Sequence, residues 1–194
     1  MPLFAAILIF WADSPIAREK QIAPGWTAAE SSNYQAAIDR KIAHGGRGSI
    51  LLKSINPDSQ GYAVRQRIRA DSWRGKRLRF SGYIKTDQVQ GGGALWLRID
   101  MANGDYVLDG MLERSGGDWT RVEIVAAIPV DATGISFGAR MIGKGQMWAD
   151  DLAFEIAPPK APTTTIERRK GKGTQKLDEF RGAPLQPLNL SFEQ

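Results

Sequence analysis

Three aspartates stand close together in this chain, Asp100, Asp105 and Asp109. Acid–base hydrolysis of a glycosidic bond needs only two carboxylates a few ångströms apart. Most other catalytic routes are closed. There is no cysteine, which excludes thiolate nucleophiles, disulfides and thiolate metal sites. The single histidine, His44, rules out a multi-histidine metal centre and sits in a glycine-rich turn, His44-Gly45-Gly46-Arg47-Gly48. No nucleophile elbow, P-loop or paired-histidine zinc motif accompanies it. Acidic residues near turns commonly serve as turn formers, so a small glycan hydrolase or lyase is one alternative to a binding module, and a structural or protein-interaction domain using the terminal strand is the other.

Binding chemistry is written more plainly. Trp96, Arg98 and Asp100 alternate with Leu95, Leu97 and Ile99, which places a tryptophan among polar groups on one strand face. An aromatic face beside hydrogen-bonding side chains is a surface on which a sugar ring stacks. The other reading packs Trp96 under a loop or a second sheet. Tyr83 and Lys85 form a similar pair, and all five residues are taken as one open ligand-binding face. Asp150 shares the parity of Leu152 and Phe154, which points it inward. A buried carboxylate must find amides, a cation or a metal, and Arg40, Arg140 or Ca²⁺ are candidates.

Arg65, Arg67, Arg69, Arg74, Arg77 and Arg79 raise the question of an anionic partner. Alternating charges on a strand are commonly a solvated face that discourages edge pairing. Only Trp73 and Tyr83 interleave with them, too few aromatics for specific nucleic-acid binding. The net charge of +5 is uneven. Residues 157–194 hold seven Lys/Arg against four acids, so the rest of the chain is nearly balanced.

Short strands must position these groups. Val64 and Ile68 oppose Arg65, Arg67 and Arg69; Leu78, Phe80 and Ile84 oppose Arg77, Arg79, Tyr83 and Lys85. The same two-residue period runs through 94–100, 106–111, 119–128, 135–142 and 146–156, with glycine-containing turns between. No segment shows a helical stripe of three turns. Eight or nine short strands spaced this way predict an all-β, two-sheet antiparallel sandwich of the jelly-roll type. Trp26, Trp119 and Trp148 fall at strand ends and are expected at the core or rim, whereas Trp73 is expected to be exposed.

The flanks differ in character. Residues 1–23 form an apolar N-terminal segment whose stretch Met1–Trp11 lacks a basic n-region; it reads as a degenerate signal, a buried edge strand or a start-site artefact. It is too short to span a bilayer as a helix. Residues 157–186 read as a Pro/Lys-rich linker. Residues 187–194 are strand-like again.

The order of motifs across residues 24–156 resembles galactose-binding-like jelly rolls. Pro24-Gly25-Trp26, His44-Gly45-Gly46 and Gly48-Ser49 leading into Leu51-Leu52-Lys53 carry the likeness. So do Arg74-Gly75-Lys76-Arg77, Ser81-Gly82-Tyr83-Ile84-Lys85, Gly117-Asp118-Trp119 and Trp148-Ala149-Asp150-Asp151-Leu152. Such domains are similar to carbohydrate-binding modules, the non-catalytic appendages of bacterial secreted hydrolases. The resemblance implies a carbohydrate ligand, a covalent neighbour domain, a secreted or periplasmic setting and a structural calcium, with Asp150 as its ligand. One departure is plain. The first strand Asn-Leu-x-Phe-Glu expected before Gly25-Trp26 is missing there, while Asn189-Leu190-Ser191-Phe192-Glu193 matches it at the other end. That segment either begins another module, folds back to supply the missing strand, or is donated to a second copy.

Overall fold

The computed structural model describes residues 18–56, 59–113, 116–164, 167–169 and 177–194; the Met1–Trp11 stretch lies outside them. Among the described residues, twelve strands form two antiparallel sheets. In chain order they are β1 (Glu19–Ala23), β2 (Trp26–Ala29), β3 (Tyr34–Asp39), β4 (Ser49–Ser54), β5 (Gly61–Arg69) and β6 (Arg77–Asp87). Then follow β7 (Gly92–Met101), β8 (Tyr106–Glu113), β9 (Gly117–Ala127), β10 (Ala132–Ile142), β11 (Gln146–Ala157) and β12 (Glu167–Arg169). The larger sheet runs β1-β2-β5-β10-β7-β8-β12 and the smaller β3-β4-β11-β6-β9. The architecture is the expected jelly-roll sandwich, and β3 to β11 fall within the alternating region.

Strand pattern decides what is buried. Val64, Ile68, Leu95, Leu97, Ile99, Ile135, Phe137, Ala139 and Met141 line the inner face of the larger sheet. Leu78, Phe80, Ile84, Val122, Ile124 and Ala126 answer from the smaller one. Phe137 of β10 meets Trp26 and Phe80 edge-on, at centroid separations of 5.8 and 5.2 Å. Strands β1, β2 and β12 lie outside that region, and alternation does not announce β1 because Glu19-Lys20-Gln21 is polar. It is an edge strand, where charged residues are tolerated and useful.

Asp150 departs from its expected orientation. The register of β11 against β6 slips between Asp150 and Ala153, with Asp151 at φ 47°. This bulge reverses the parity. Asp150 pairs with Tyr83, on the side away from the core, and is nonetheless buried beneath the loop at His44. Its Oδ2 accepts the backbone N–H groups of His44 and Gly45 at 2.8 and 3.1 Å, and its Oδ1 accepts that of Asp151 at 2.8 Å. Burial keeps the carboxyl above the ordinary aspartate range, and these three amides work against that rise. No arginine is needed: Arg40 donates instead to the Phe192 carbonyl, and Arg140 belongs to the other sheet. Among the described residues no group of three carboxylate or histidine side chains is placed to hold a metal.

The described C-terminal residues are docked on the sandwich. A single 3-10 turn, Leu177–Phe180, sits against the larger sheet. From there the chain passes Trp73, whose indole N–H donates to the Leu185 carbonyl at 3.2 Å. Trp73 is therefore buried, edge-on to Phe154, and not exposed as its turn suggested. Gln66, a polar residue facing the core, pairs its side-chain amide with both backbone groups of Leu188, at 2.9 and 2.6 Å. Trp26 donates to the Asn189 carbonyl at 3.0 Å. Phe192 then enters the core beside Trp26, at a centroid separation of 5.1 Å. The segment is a plug and not a strand, since Asn189 and Phe192 have φ of 47° and 56°.

The plug yields a stability prediction. Phe192 is fully buried, so Phe192→Ala should cost about 3 to 5 kcal/mol. Leu185→Ala, at an exposed side chain, should cost less than about 0.5 kcal/mol. Urea unfolding followed by tryptophan fluorescence measures both, and equal midpoints for Phe192→Ala and the parent chain would refute the plug.

Candidate functional site

On the outer face of the larger sheet, strand register assembles rows of side chains. Gly138 of β10 stands between Arg65 of β5 and Trp96 of β7, and Trp96 is followed across β8 by Gly110. The next row is Arg67, Ser136, Arg98, Leu108. Beyond it lie Arg69, Gly134, Asp100 and Tyr106, and on the other side Arg140 flanked by Ala63 and Ala94. Trp96 is half-buried between two glycines, Gly138 buried and Gly110 exposed. Gly138 has a packing reason to be glycine. A Cβ there would stand 2.0 Å from the Val64 carbonyl oxygen of the adjoining strand.

This face is charged and largely dry. Arg98 and Asp100, each about one-tenth exposed, form a fork: Arg98 Nε donates to the carboxylate at 2.9 and 3.1 Å and Nη2 at 2.6 Å. The guanidinium also covers the Tyr106 ring, 4.1 Å from its centroid. Burial still raises the Asp100 carboxyl above its ordinary range, against the pull of Arg98. Glu19, from edge strand β1, reaches Arg67 through two bonds of 2.9 and 3.0 Å and Arg65 at 2.6 Å. Burial pushes the Glu19 carboxyl up, but these arginines outweigh it and hold it low. Burial and the charge of Arg67 push the Arg65 guanidinium down. Burying so many ions is expensive unless each finds a partner.

Some polar atoms of this face have no hydrogen-bond partner among the described residues. The Trp96 indole N–H, the Ser136 hydroxyl and Arg67 Nε are buried without a hydrogen bond. They occupy two adjoining rows. Unpaired buried donors clustered on one surface are what a polar ligand satisfies.

Tyr83 and Lys85 do not join this group. They lie on β6, on the outer face of the smaller sheet, so the five expected residues divide between opposite faces of the sandwich. Alternation gives a residue's side of its own strand, but not which sheet receives that strand. Around Tyr83 there is a separate cluster. The His44 ring stacks on Tyr83 at 3.6 Å, meets Trp119 edge-on at 5.6 Å, and its Nδ1 lies 2.6 Å from Asp151 Oδ2. Lys85 faces Asp118 at 3.5 Å.

Of the three aspartates, Asp100 and Asp105 are each engaged by other side chains. Asp100 is held in the Arg98 fork, and Asp105 in its turn with Asn103, whose side-chain N–H donates to it at 3.1 Å. The Asp109 side chain lies outside the described residues. Several residues of the face escaped sequence reasoning. Glu19 and Glu179 come from distant segments, Tyr106 opens the neighbouring strand β8, and Ser136 and Gly138 carry no signal of their own. The one available cue was the run Gly134-Ile135-Ser136-Phe137-Gly138, whose alternate positions are small.

No family model matches this chain. It is 36% identical over 178 residues to an uncharacterized HTH-type transcriptional regulator, YbfP of Bacillus subtilis (strain 168). That match covers 88% of this chain and 57% of the regulator, so the chain spans little more than half of that relative's length. Among solved structures it resembles the C-terminal family 22 carbohydrate-binding module of Clostridium thermocellum Xyn10B, with a TM-score of 0.55 and 16% identity over 71% of this chain and 89% of that one. A family 16 carbohydrate-binding module gives a TM-score of 0.52 at 15% identity, covering 63% and 86%. The tailspike protein 4 of bacteriophage CBA120 gives 0.56 at 13%, covering 69% of this chain and 19% of the phage protein. By fold the chain is a jelly-roll β-sandwich of the kind found in carbohydrate-binding modules.

Proposed function

We propose that the outer face of the larger sheet binds a carbohydrate and performs no chemistry on it. The observation that carries this reading is Trp96. Its ring is half-exposed on a polar strand face, glycines flank it, and its indole N–H is buried without a partner. A sugar ring stacked on the indole would cover the apolar surface, while its hydroxyls reach Ser136, Arg98 and Asp100. The carbohydrate-binding modules of similar fold support this ligand class.

The relation to the Bacillus regulator supports a setting other than the one the resemblance implied. A DNA-reading helix-turn-helix needs a pair of helices. The described residues contain no α-helix. In a protein of that kind this sandwich would be the part that senses a sugar, joined to a neighbour that reads DNA. An accessory module on a secreted hydrolase would use the same face for anchoring.

Both settings share one test. Titration calorimetry against neutral and acidic oligosaccharides should detect binding that Trp96→Ala weakens at least tenfold, about 1.4 kcal/mol, with the melting midpoint unchanged within about 2 °C. Tyr83→Ala, on the opposite face, should leave affinity within twofold. Loss of affinity on Tyr83→Ala but not on Trp96→Ala would move the site to the smaller sheet, and no binding to any glycan would end the reading.

A further inference from the structure

Among the described side chains, Glu19, Asp100 and Glu179 are carboxylates on the Trp96 face, and they differ in how they are used. Glu19 is bound by Arg65 and Arg67, and Asp100 is bound by Arg98. Glu179 is the exception. It comes from the 3-10 turn Leu177–Phe180, and its Oε2 lies 3.7 Å from Arg67 Nε. That is too far for a hydrogen bond, and the Arg67 Nε stays buried and unpartnered. The neighbouring Ser136 hydroxyl, one strand away in the same row, is unpartnered as well.

The turn carrying Glu179 is built onto the sheet. Phe180, buried, lies against Gly134, where a Cβ would fall 2.2 Å from the phenyl ring. The Ala183 N–H donates to the Phe180 carbonyl at 3.1 Å, and the Arg69 N–H of β5 donates to the Pro184 carbonyl at 2.9 Å. A carboxylate is thus held over a guanidinium with one donor to spare, without filling it. An anion able to approach more closely would gain two charge-assisted hydrogen bonds that Glu179 leaves unmade.

Resting on the carbohydrate reading of this same face, we propose that the ligand is an acidic sugar, a glycan carrying a uronate carboxylate. Its ring stacks on Trp96, and its carboxylate takes the place of the Glu179 carboxylate at Arg67 Nε and the Ser136 hydroxyl. The spacing allows it. Arg67 and Trp96 belong to strands separated only by β10, and neighbouring strands are roughly 4.8 Å apart. One sugar ring, its exocyclic carboxylate and the reach of an arginine bridge that span. Glu179 then acts as a tethered competitor that the ligand must displace.

The test uses the full chain and paired probes: oligogalacturonates and glucuronic-acid-substituted xylo-oligosaccharides, each beside its carboxyl-reduced twin. Calorimetry should find one uronate probe binding at least tenfold tighter than its twin, with affinity falling as salt rises. Glu179→Gln should tighten uronate binding three- to tenfold and leave the twin within twofold, and Arg67→Gln should erase the preference between them. Because Arg67 also holds Glu19, its variant is read only where its circular dichroism and melting midpoint match the parent; the parent's own comparison of twin probes needs no variant. If both twins bind equally and binding depends on Trp96, the acidic-sugar proposal is overturned while the carbohydrate reading stands. If Glu179→Gln leaves a uronate preference unchanged, the competitor role is overturned. If neither twin of any pair binds, both readings are lost.

Discussion

The register of β10 between β5 and β7 is the constraint on which the site depends. Its odd-numbered side chains from Ile135 to Met141 are buried toward the core, and the alternate positions Gly134, Ser136 and Gly138 are small and face outward. The close approach at Gly138 locks β10 against the Val64 carbonyl. A slip of one residue would bring Phe137 to the outer face and place it among the arginines. In the observed register Arg65 and Arg67 lie on one flank of a low strip, and Trp96 and Arg98 on the other. The same small residues that let β10 sit close are covered from outside, Gly134 by the Phe180 ring, and all three are buried. Core packing and site shape are therefore two faces of one alternation.

How far this is legible in the chain depends on distance along it. The parity of Leu95-Trp96-Leu97-Arg98-Ile99-Asp100 is local, and reading it puts Trp96, Arg98 and Asp100 on one outer face, as the structure has them. Sheet membership is not local. Strands β6 and β7 follow one another and share the same alternation, yet they join different sheets, which is why Tyr83 and Lys85 do not meet Trp96. Parity itself fails at Asp150, where the bulge adds a residue that no composition signal marks. Glu19 and Glu179 reach the arginines from opposite ends of the sequence, and only the folded topology brings them there.

The electrostatics of the face follow from burial more than from charge count. Arginines on a solvated strand would need no partners and would contribute little. Here Arg65 and Arg67 are only about one-quarter exposed, and Glu19 sits between them at a similar depth. Removing one member of such a set strands the others, whereas replacing the whole set with apolar residues can be neutral or favourable. A cluster of this kind is a poor means of stabilising a sheet and a suitable means of preorganising donors. The unpartnered Arg67 Nε, Ser136 hydroxyl and Trp96 indole fit that account, because they are fixed by packing and not by bonds to one another.

The C-terminal residues tie this face to the core. Between Phe180 on Gly134 and Phe192 beside Trp26, the chain is fastened at Arg69, Trp73, Gln66 and Trp26 itself. A ligand changes a protein's shape only through a difference in free energy between two arrangements. Rotation of the Glu179 side chain alone would involve one weak contact, and the fastenings would confine it. Phe180 is different. Its ring leans on a glycine and lies outside the main core cluster, so the turn is held by a contact separate from the one that seats Phe192. Lifting Phe180 would free the turn while Phe192 stayed in place.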